Sequence, residues 1–542
     1  MIEPEESLLS VLRERLGLTS VKDGCAPQGQ CGCCTVLVDG EARVACVTPA
    51  ARVSGRNVTT VEGLDAEQRD ALASSFCAHG ASQCGFCTPG IVIRCAAARA
   101  KGNVAPAQLD RLLAAHLCRC TGWQTIYEAV ASTSATTSAP RDLTSAGRRA
   151  WLEGGAPQAV GPRIALGGAS FADDLAPPGA LVAVPLPPGS RGTGVEAAGV
   201  EFAVAESMHA ARVAAAKVQG RRTTLAIEPP IPLMERPVGG VRLATSWVEP
   251  AYLEPDASWC EPGGEPATPL ANGGAFGGKS SSRAPVAARE LADRFGRPVR
   301  VVFSREDVVR WGPKRPPISA TAESDGDLVL IELMAPAPIE IARADHYGLD
   351  VEAQQHRVPV AGPSTAAMRA PWAETAVLVE GALQAMGFDR AGSVTGAAAG
   401  VLLDTCVSSL AGAYAGARVV IGAGDRIESI EVRVAAGDPL DAAVLRSYCI
   451  GATHMALGWV LTEGLSVDPD SGEVHDLTIR SFGIIRPKDM PPVAVTITDD
   501  PRAPLPAGDA VFAAVAAATW IKVGLPESWP ALATPVARRL RR

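Results

Sequence analysis

Gln83-Cys84-Gly85-Phe86-Cys87-Thr88-Pro89-Gly90 and Cys118-Arg119-Cys120-Thr121-Gly122 decide how this chain is read. Each stretch places two cysteines, three residues apart in the first and two in the second, at a predicted helix end. The N-terminal dipole and the free N–H groups of a helix end favour anionic sulfur. Together the two pairs make a four-thiolate cage from Cys84, Cys87, Cys118 and Cys120.

A second cage lies upstream in Cys25-Ala-Pro-Gln-Gly-Gln-Cys31-Gly-Cys33-Cys34-Thr35, completed by Cys46. Three thiolates on a glycine-bearing loop and a fourth from a strand can wrap a small iron–sulfur rhomb, with loop N–H groups offsetting its negative charge. Cys25, Cys31, Cys34 and Cys46 are the expected ligands, and Cys33 is the spare thiol. A four-cysteine zinc site is the alternative, but a C-x-C partner and a three-ligand loop are unusual for structural zinc. Two [2Fe-2S] clusters are therefore expected. Of the 14 cysteines, 11 precede residue 121, which points to metal ligation rather than scattered disulfides. Cys77, Cys95, Cys260, Cys406 and Cys449 read as small buried hydrophobes.

Around these motifs, residues 5–18 predict a helix with Leu8, Leu9, Leu12 and Leu16 on one face. Thr35 to Val38 and Arg43 to Cys46 predict a hairpin about Asp39-Gly40. Helical patterns follow at 90–100 and 107–117. Residues 132–146 are rich in Ser, Thr, Ala and Pro and read as a linker. Beyond it, strands at 180–184, 299–303 and 419–421 alternate with helices at 286–295 and 375–386. The expected class is α+β and multidomain, with boundaries at 1–65, 66–131, 132–146 and 147–542.

At 542 residues, several domains are expected from a prior of about 100–200 residues each. A net charge of −8 argues against nucleic-acid binding, which needs clustered Lys and Arg. The opening residues are acidic and amphipathic, so no secretory signal is read. No stretch of about 18 residues stays apolar enough to span a bilayer. A cytoplasmic protein is expected. The seven histidines are scattered without metal-ligand spacing.

The cysteine motifs resemble the molybdenum hydroxylases, the family of xanthine dehydrogenase, aldehyde oxidase and carbon monoxide dehydrogenase. In that family QCGxCTPG and CRCTGY mark a helical cluster domain, which follows a plant-ferredoxin-like β-grasp domain. The Cys25 to Cys31 spacing is one residue longer than is common there. Further motifs follow in order. Gly167 to Asp174 (GGASFADD) resembles the opening of the molybdenum-cofactor region. Gly273-Gly274-Ala275-Phe276-Gly277-Gly278-Lys279 resembles its glycine-rich cofactor loop. Met368-Arg369-Ala370-Pro371 with Glu380, and Gly458 to Glu463 with Asp468 to Gly472, resemble later segments.

The resemblance implies Gln83, Gly274, Ala275, Phe276, Gly277, Gly278 and Arg369 as cofactor contacts. It implies molybdopterin beside the two clusters, and oxidation of an aldehyde or N-heterocycle with water. The family's base is a Glu near the C-terminus. Here that stretch reads Pro504-Leu505-Pro506-Ala507-Gly508-Asp509-Ala510, so Asp509 is the candidate base, or else a helix N-cap. A second pterin-binding element appears as Ser447-Tyr448, without its amide, and the whole region is short.

The alternative is a non-catalytic electron carrier or scaffold with a degenerate molybdenum region. No flavin or dinucleotide fingerprint is visible, so a flavoprotein subunit or another acceptor is the expected partner. A small-molecule substrate is expected, and a homo-oligomer is allowed.

Overall fold

The computed structural model describes residues 5–102, 104–132, 141–190, 194–217, 226–365, 369–475 and 477–541. Four sheets and a set of buried helices make an α+β architecture. The first sheet has three antiparallel strands in the order Glu41–Val44, Thr35–Val38, Val58–Thr59. Cys46 lies just past the hairpin, in a single 3₁₀ turn (Ala45–Val47). Four helices follow: α1 (Ala66–Ala78), α2 (Thr88–Ala100), α3 (Pro106–Leu113) and α4 (Gln124–Ala131).

The helix expected over 5–18 is broken. Leu8–Ser10 is α-helical, then Val11–Arg15 widens so that the Leu16 N–H donates to the Val11 carbonyl at 3.2 Å. Leu8, Leu9 and Leu12 are buried, but Leu16 is 61% exposed. The reason is Arg13, which turns inward to Asp173 (2.8 Å) and Asp174 (2.9 Å). Its burial rotates the last turn away from the apolar face.

The expected linker is shorter than its composition suggests. Residues 133–140 lie outside the described residues. Asp142 caps α5 (Leu143–Gly154) by accepting from the Thr144 N–H, and Ala146 and Ala150 bury one face of that helix. Small residues here serve close packing, not flexibility.

The second sheet runs Val195–Ala197, Val200–Ala205, Leu181–Pro185, Val299–Phe303, Asp256–Cys260, covered by α6 (Ala284–Phe295). The third runs Asp350–Arg357, Leu328–Ala335, Ser319–Asp325, Val241–Thr245, Ser528–Trp529. Its last pair joins distant parts of the chain in parallel, Ser528 opposite Ala244 and Trp529 opposite Thr245. The fourth runs Thr405–Ser408, Tyr414–Ile421, Ile427–Ala435, Val493–Ile497.

The third and fourth sheets pack on a layer of three helices: α7 (Ala373–Ala385), α8 (Ala442–Leu461) and α9 (Gly508–Lys522). These are apolar on almost every side and rich in Ala, which lets their axes approach closely; such all-round hydrophobicity marks core helices. One end of this layer faces the cysteine-bearing helices.

Candidate functional site

Cys25, Cys31, Cys34 and Cys46 are all buried. Backbone N–H groups of Gln30 and Cys31 donate to Cys25 Sγ at 3.2 and 3.3 Å, and the Cys46 N–H donates to Cys34 Sγ at 3.4 Å. Hydrogen bonds from the Cys31 and Cys46 thiols hold Cys25 well below the usual thiol range, against burial, while Cys31 is pushed up beside Cys25 and Cys33. These are thiols brought into mutual contact. Cys33 is also buried, and burial pushes its thiol up. The loop is fixed from behind: the Leu117 N–H donates to the Cys31 carbonyl at 2.9 Å.

The second set meets in pairs. Cys84 and Cys120 sulfurs lie 3.5 Å apart. Cys87 caps α2, while Cys118 and Cys120 sit in the turn leading to α4. The Cys118 thiol is lowered to about 7, first by Cys87 and, against burial, by Thr121, whose Oγ1 is 3.1 Å away. Among the described residues no three His, Cys, Asp or Glu side chains are set to hold a single metal ion. Buried thiols that receive backbone N–H donors instead suit a polynuclear, anionic cluster.

A cavity of about 100 Å³ adjoins this second set. Gln83, Cys84 and Cys120 form one wall, and Phe276, Arg369 and Asp509 face them from segments far apart in sequence. α8 supplies Tyr448 and Trp459. The glycine-rich loop reaches the cavity through Gly273 and Phe276, with Ala275 and Phe276 in left-handed backbone (φ 51° and 55°), a costly conformation for non-glycine residues. Gly274, Ala275, Gly277 and Gly278 do not line it.

Arg369 holds the far wall together. Its Nη2 donates to Asp509 Oδ1 at 3.0 Å, its Nη1 to the Glu153 carbonyl, and its backbone N–H to the Phe276 carbonyl at 3.3 Å. Burial works to lower the guanidinium's pKa, but Asp509 and Glu153 outweigh it and the net direction is up. Asp509 is not the N-cap of α9; Ala507 holds that position.

The helix end is served by Glu153, which the sequence reading passed over. Its carboxylate accepts from the Gly508 N–H (2.8 Å), the Ala507 N–H (3.2 Å) and Arg149 (3.1 Å). Burial pushes it up, against these donors. The only local cue is the i,i+4 spacing of Arg149 and Glu153.

Gln83 Nε2 donates to the Cys120 carbonyl (3.0 Å) and to Ser447 Oγ (2.9 Å), and Tyr448 Oη donates to Gln158 (2.5 Å). Thus Ser447 and Tyr448 tie α8 to the thiol-bearing segment and to the loop that follows α5. Next to the cavity, Asn272 Nδ2 is buried and has no hydrogen-bond partner among the described residues. An unanswered donor beside a strained loop fits a polar cofactor edge.

A family model described as a [2Fe-2S] binding domain matches residues 60–131. The nicotine 6-hydroxylase small subunit of Paenarthrobacter nicotinovorans is 42% identical over 131 residues, 24% of this chain and 78% of that protein. The aldehyde oxidoreductase of Megalodesulfovibrio gigas is 41% identical over 144 residues, 25% of this chain, and the match spans only 15% of that protein's length. Among solved structures, the aldehyde oxidoreductase from Desulfovibrio gigas aligns over 100% of this chain and 98% of that one, with a TM-score of 0.70 at 15% identity, a likeness of fold. Among the described residues no helix is long and apolar enough to cross a membrane.

Proposed function

We propose, from the premise that this chain belongs to the molybdenum hydroxylase family, that it oxidises an aldehyde or N-heterocycle with water and passes the electrons through two [2Fe-2S] clusters. Cys25, Cys31, Cys34 and Cys46 would hold the first cluster, in a ferredoxin-like β-grasp domain over 1–65. Cys84, Cys87, Cys118 and Cys120 would hold the second, in the helical domain over 66–131. The molybdenum-cofactor region would occupy the remainder, from 147.

One observation carries this reading: the cavity shares Cys84 and Cys120 with the second thiol set and meets Asp509 and Arg369 opposite. A reacting carbon there is next to an electron outlet. When bound, a molybdenum cofactor supplies a two-electron acceptor, which the clusters empty one electron at a time. Gln83, Asn272 and Phe276 are the residues that would hold it. Asp509 takes the proton of the attacking water, and Arg369 fixes the carboxylate's direction. Glu153 holds the helix end from which Asp509 projects. A cluster held by Cys25, Cys31, Cys34 and Cys46 would supply the outlet toward a flavoprotein subunit or another acceptor.

Metal and pterin analysis of the purified chain, expressed with cofactor-assembly machinery, tests this. The expected result is four iron atoms and one molybdenum with a pterin. Four iron without molybdenum would reject the enzyme in favour of an electron carrier, and absence of iron would reject both.

A further inference from the structure

The loop that carries Cys118 and Cys120 also carries Arg119, whose side chain is turned toward the cavity and almost wholly buried (5% exposed). Its guanidinium is fully engaged. Nη1 and Nη2 donate to the two oxygens of Glu463 at 2.5 and 2.6 Å, and Nε donates to the Pro250 carbonyl at 3.1 Å. Glu463 is itself only 1% exposed. This planar, bidentate geometry is specific to arginine with a carboxylate.

Glu463 reaches Arg119 by folding back over the end of α8. The Glu463 N–H donates to the Gly458 carbonyl at 2.7 Å, and a Cβ at Gly458 would stand 1.9 Å from Glu463 Oε1. Seven residues earlier, a Cβ at Gly451 would stand 1.8 Å from the Cys120 carbonyl. α8 therefore touches the thiol-bearing loop by backbone at Gly451, and two turns further on Gly458 makes room for the Glu463 carboxylate, which meets that loop by charge.

A buried ion pair is weak evidence for stability, because desolvation offsets much of its Coulomb gain. Its position suggests another use. A [2Fe-2S] cluster gains one negative charge on reduction, and potentials of such clusters follow net charge and hydrogen bonding around the sulfurs. A guanidinium between two ligating cysteines favours the reduced form, and a carboxylate locked onto that guanidinium cancels most of the effect.

Resting on the reading of Cys84, Cys87, Cys118 and Cys120 as cluster ligands, we infer that the Arg119–Glu463 pair sets the reduction potential of the second cluster. Glu463 holds it low enough for electrons to move on to the first. Arg119 and Glu463 act through charge on the cluster and touch no reacting atom.

The test is a redox titration of the full-length, cluster-loaded chain, following both clusters by electron paramagnetic resonance. In Glu463→Gln the second cluster should shift to a more positive potential while the first stays put. Arg119→Gln should shift the second cluster the opposite way, and the double variant should return it toward the parent. Glu463→Asp, which retains the charge but draws it back by one methylene, should fall between parent and Glu463→Gln, and it serves if the Gln variant does not assemble. Two full-intensity cluster signals with the second potential unmoved, or with both clusters moving equally, would overturn the inference. Absence of cluster signals from the parent chain would overturn the ligand reading beneath it instead.

Discussion

At the scale of single residues, the site depends on side chains held by partners from remote segments. Asp509 is oriented by Arg369 and presented by a helix end that Glu153 secures. If it is the base, Asp509→Ala should cut dye-linked turnover at least ~100-fold, the lower range for losing a general base. Steady-state assays with matched cofactor content check this, and unchanged turnover would remove Asp509 from the role.

His454 gives a prediction independent of chemistry. It is buried within α8, with Nε2 3.0 Å from the Ile485 carbonyl, and burial lowers its pKa from 6.5 to about 4. Unfolded, the imidazole takes up a proton near pH 6.5; folded, it resists until about 4. Across that window the unfolded state binds more protons, so this residue's contribution to stability falls as pH falls, by about 1.4 kcal/mol per unit. Urea unfolding at several pH values should show the parent losing stability faster than His454→Gln by that slope. Parallel slopes would show that His454 is protonated alike in both states.

At the scale of elements, α8 is the critical piece, since its backbone lies against the Cys120 carbonyl at Gly451. Gly451→Ala forces backbone against backbone, so a loss of about 3 kcal/mol, at the upper end for overpacking, is expected together with a weakened second-cluster signal. Thermal unfolding and iron content measure the two effects.

The sequence reveals such elements unevenly. Val299–Phe303 was readable to the residue, because β-branched and aromatic side chains, interrupted only by Arg300, lie between a proline and a serine cap, and all five residues are buried. That cysteines meet here was readable from motifs that repeat cysteine at short spacing, Cys31 to Cys34, Cys84 to Cys87 and Cys118 to Cys120. Ser528–Trp529, two residues long, left no periodic trace, and α5 was hidden by small residues that resemble a linker. Arg119–Glu463 and Glu153–Gly508 join positions 344 and 355 residues apart. No local pattern encodes such pairs; only the topology brings them together.

At the scale of the whole molecule, the cysteine-bearing part is latched to the second sheet by buried charges. Arg13 and Lys22 grip Asp174, Arg13 and Arg300 share Asp173, and Arg300 also pairs with Glu14 at 3.0 Å. The paired aspartates of GGASFADD thus serve as an anchor. Asp174→Asn leaves two cations facing a neutral amide, and breaking a buried pair in this way costs roughly 3–5 kcal/mol. The expected outcome is a destabilised chain whose first-cluster iron is more readily removed by chelators. Unchanged urea unfolding and unchanged iron release would show that the latch carries no load.

The parallel pairing of Ser528–Trp529 with Val241–Thr245 also sets an order in time. The third sheet stays open until its last strand is synthesised, whereas all eight cysteines proposed as ligands are present once residue 120 has emerged. At about 5–20 residues per second, tens of seconds separate those events on the ribosome. For most of that interval, until α8 and Glu463 have been synthesised, the thiols stand uncovered by them, so iron delivery to the proposed ligands would have its natural opening before the body of the protein exists to close over them.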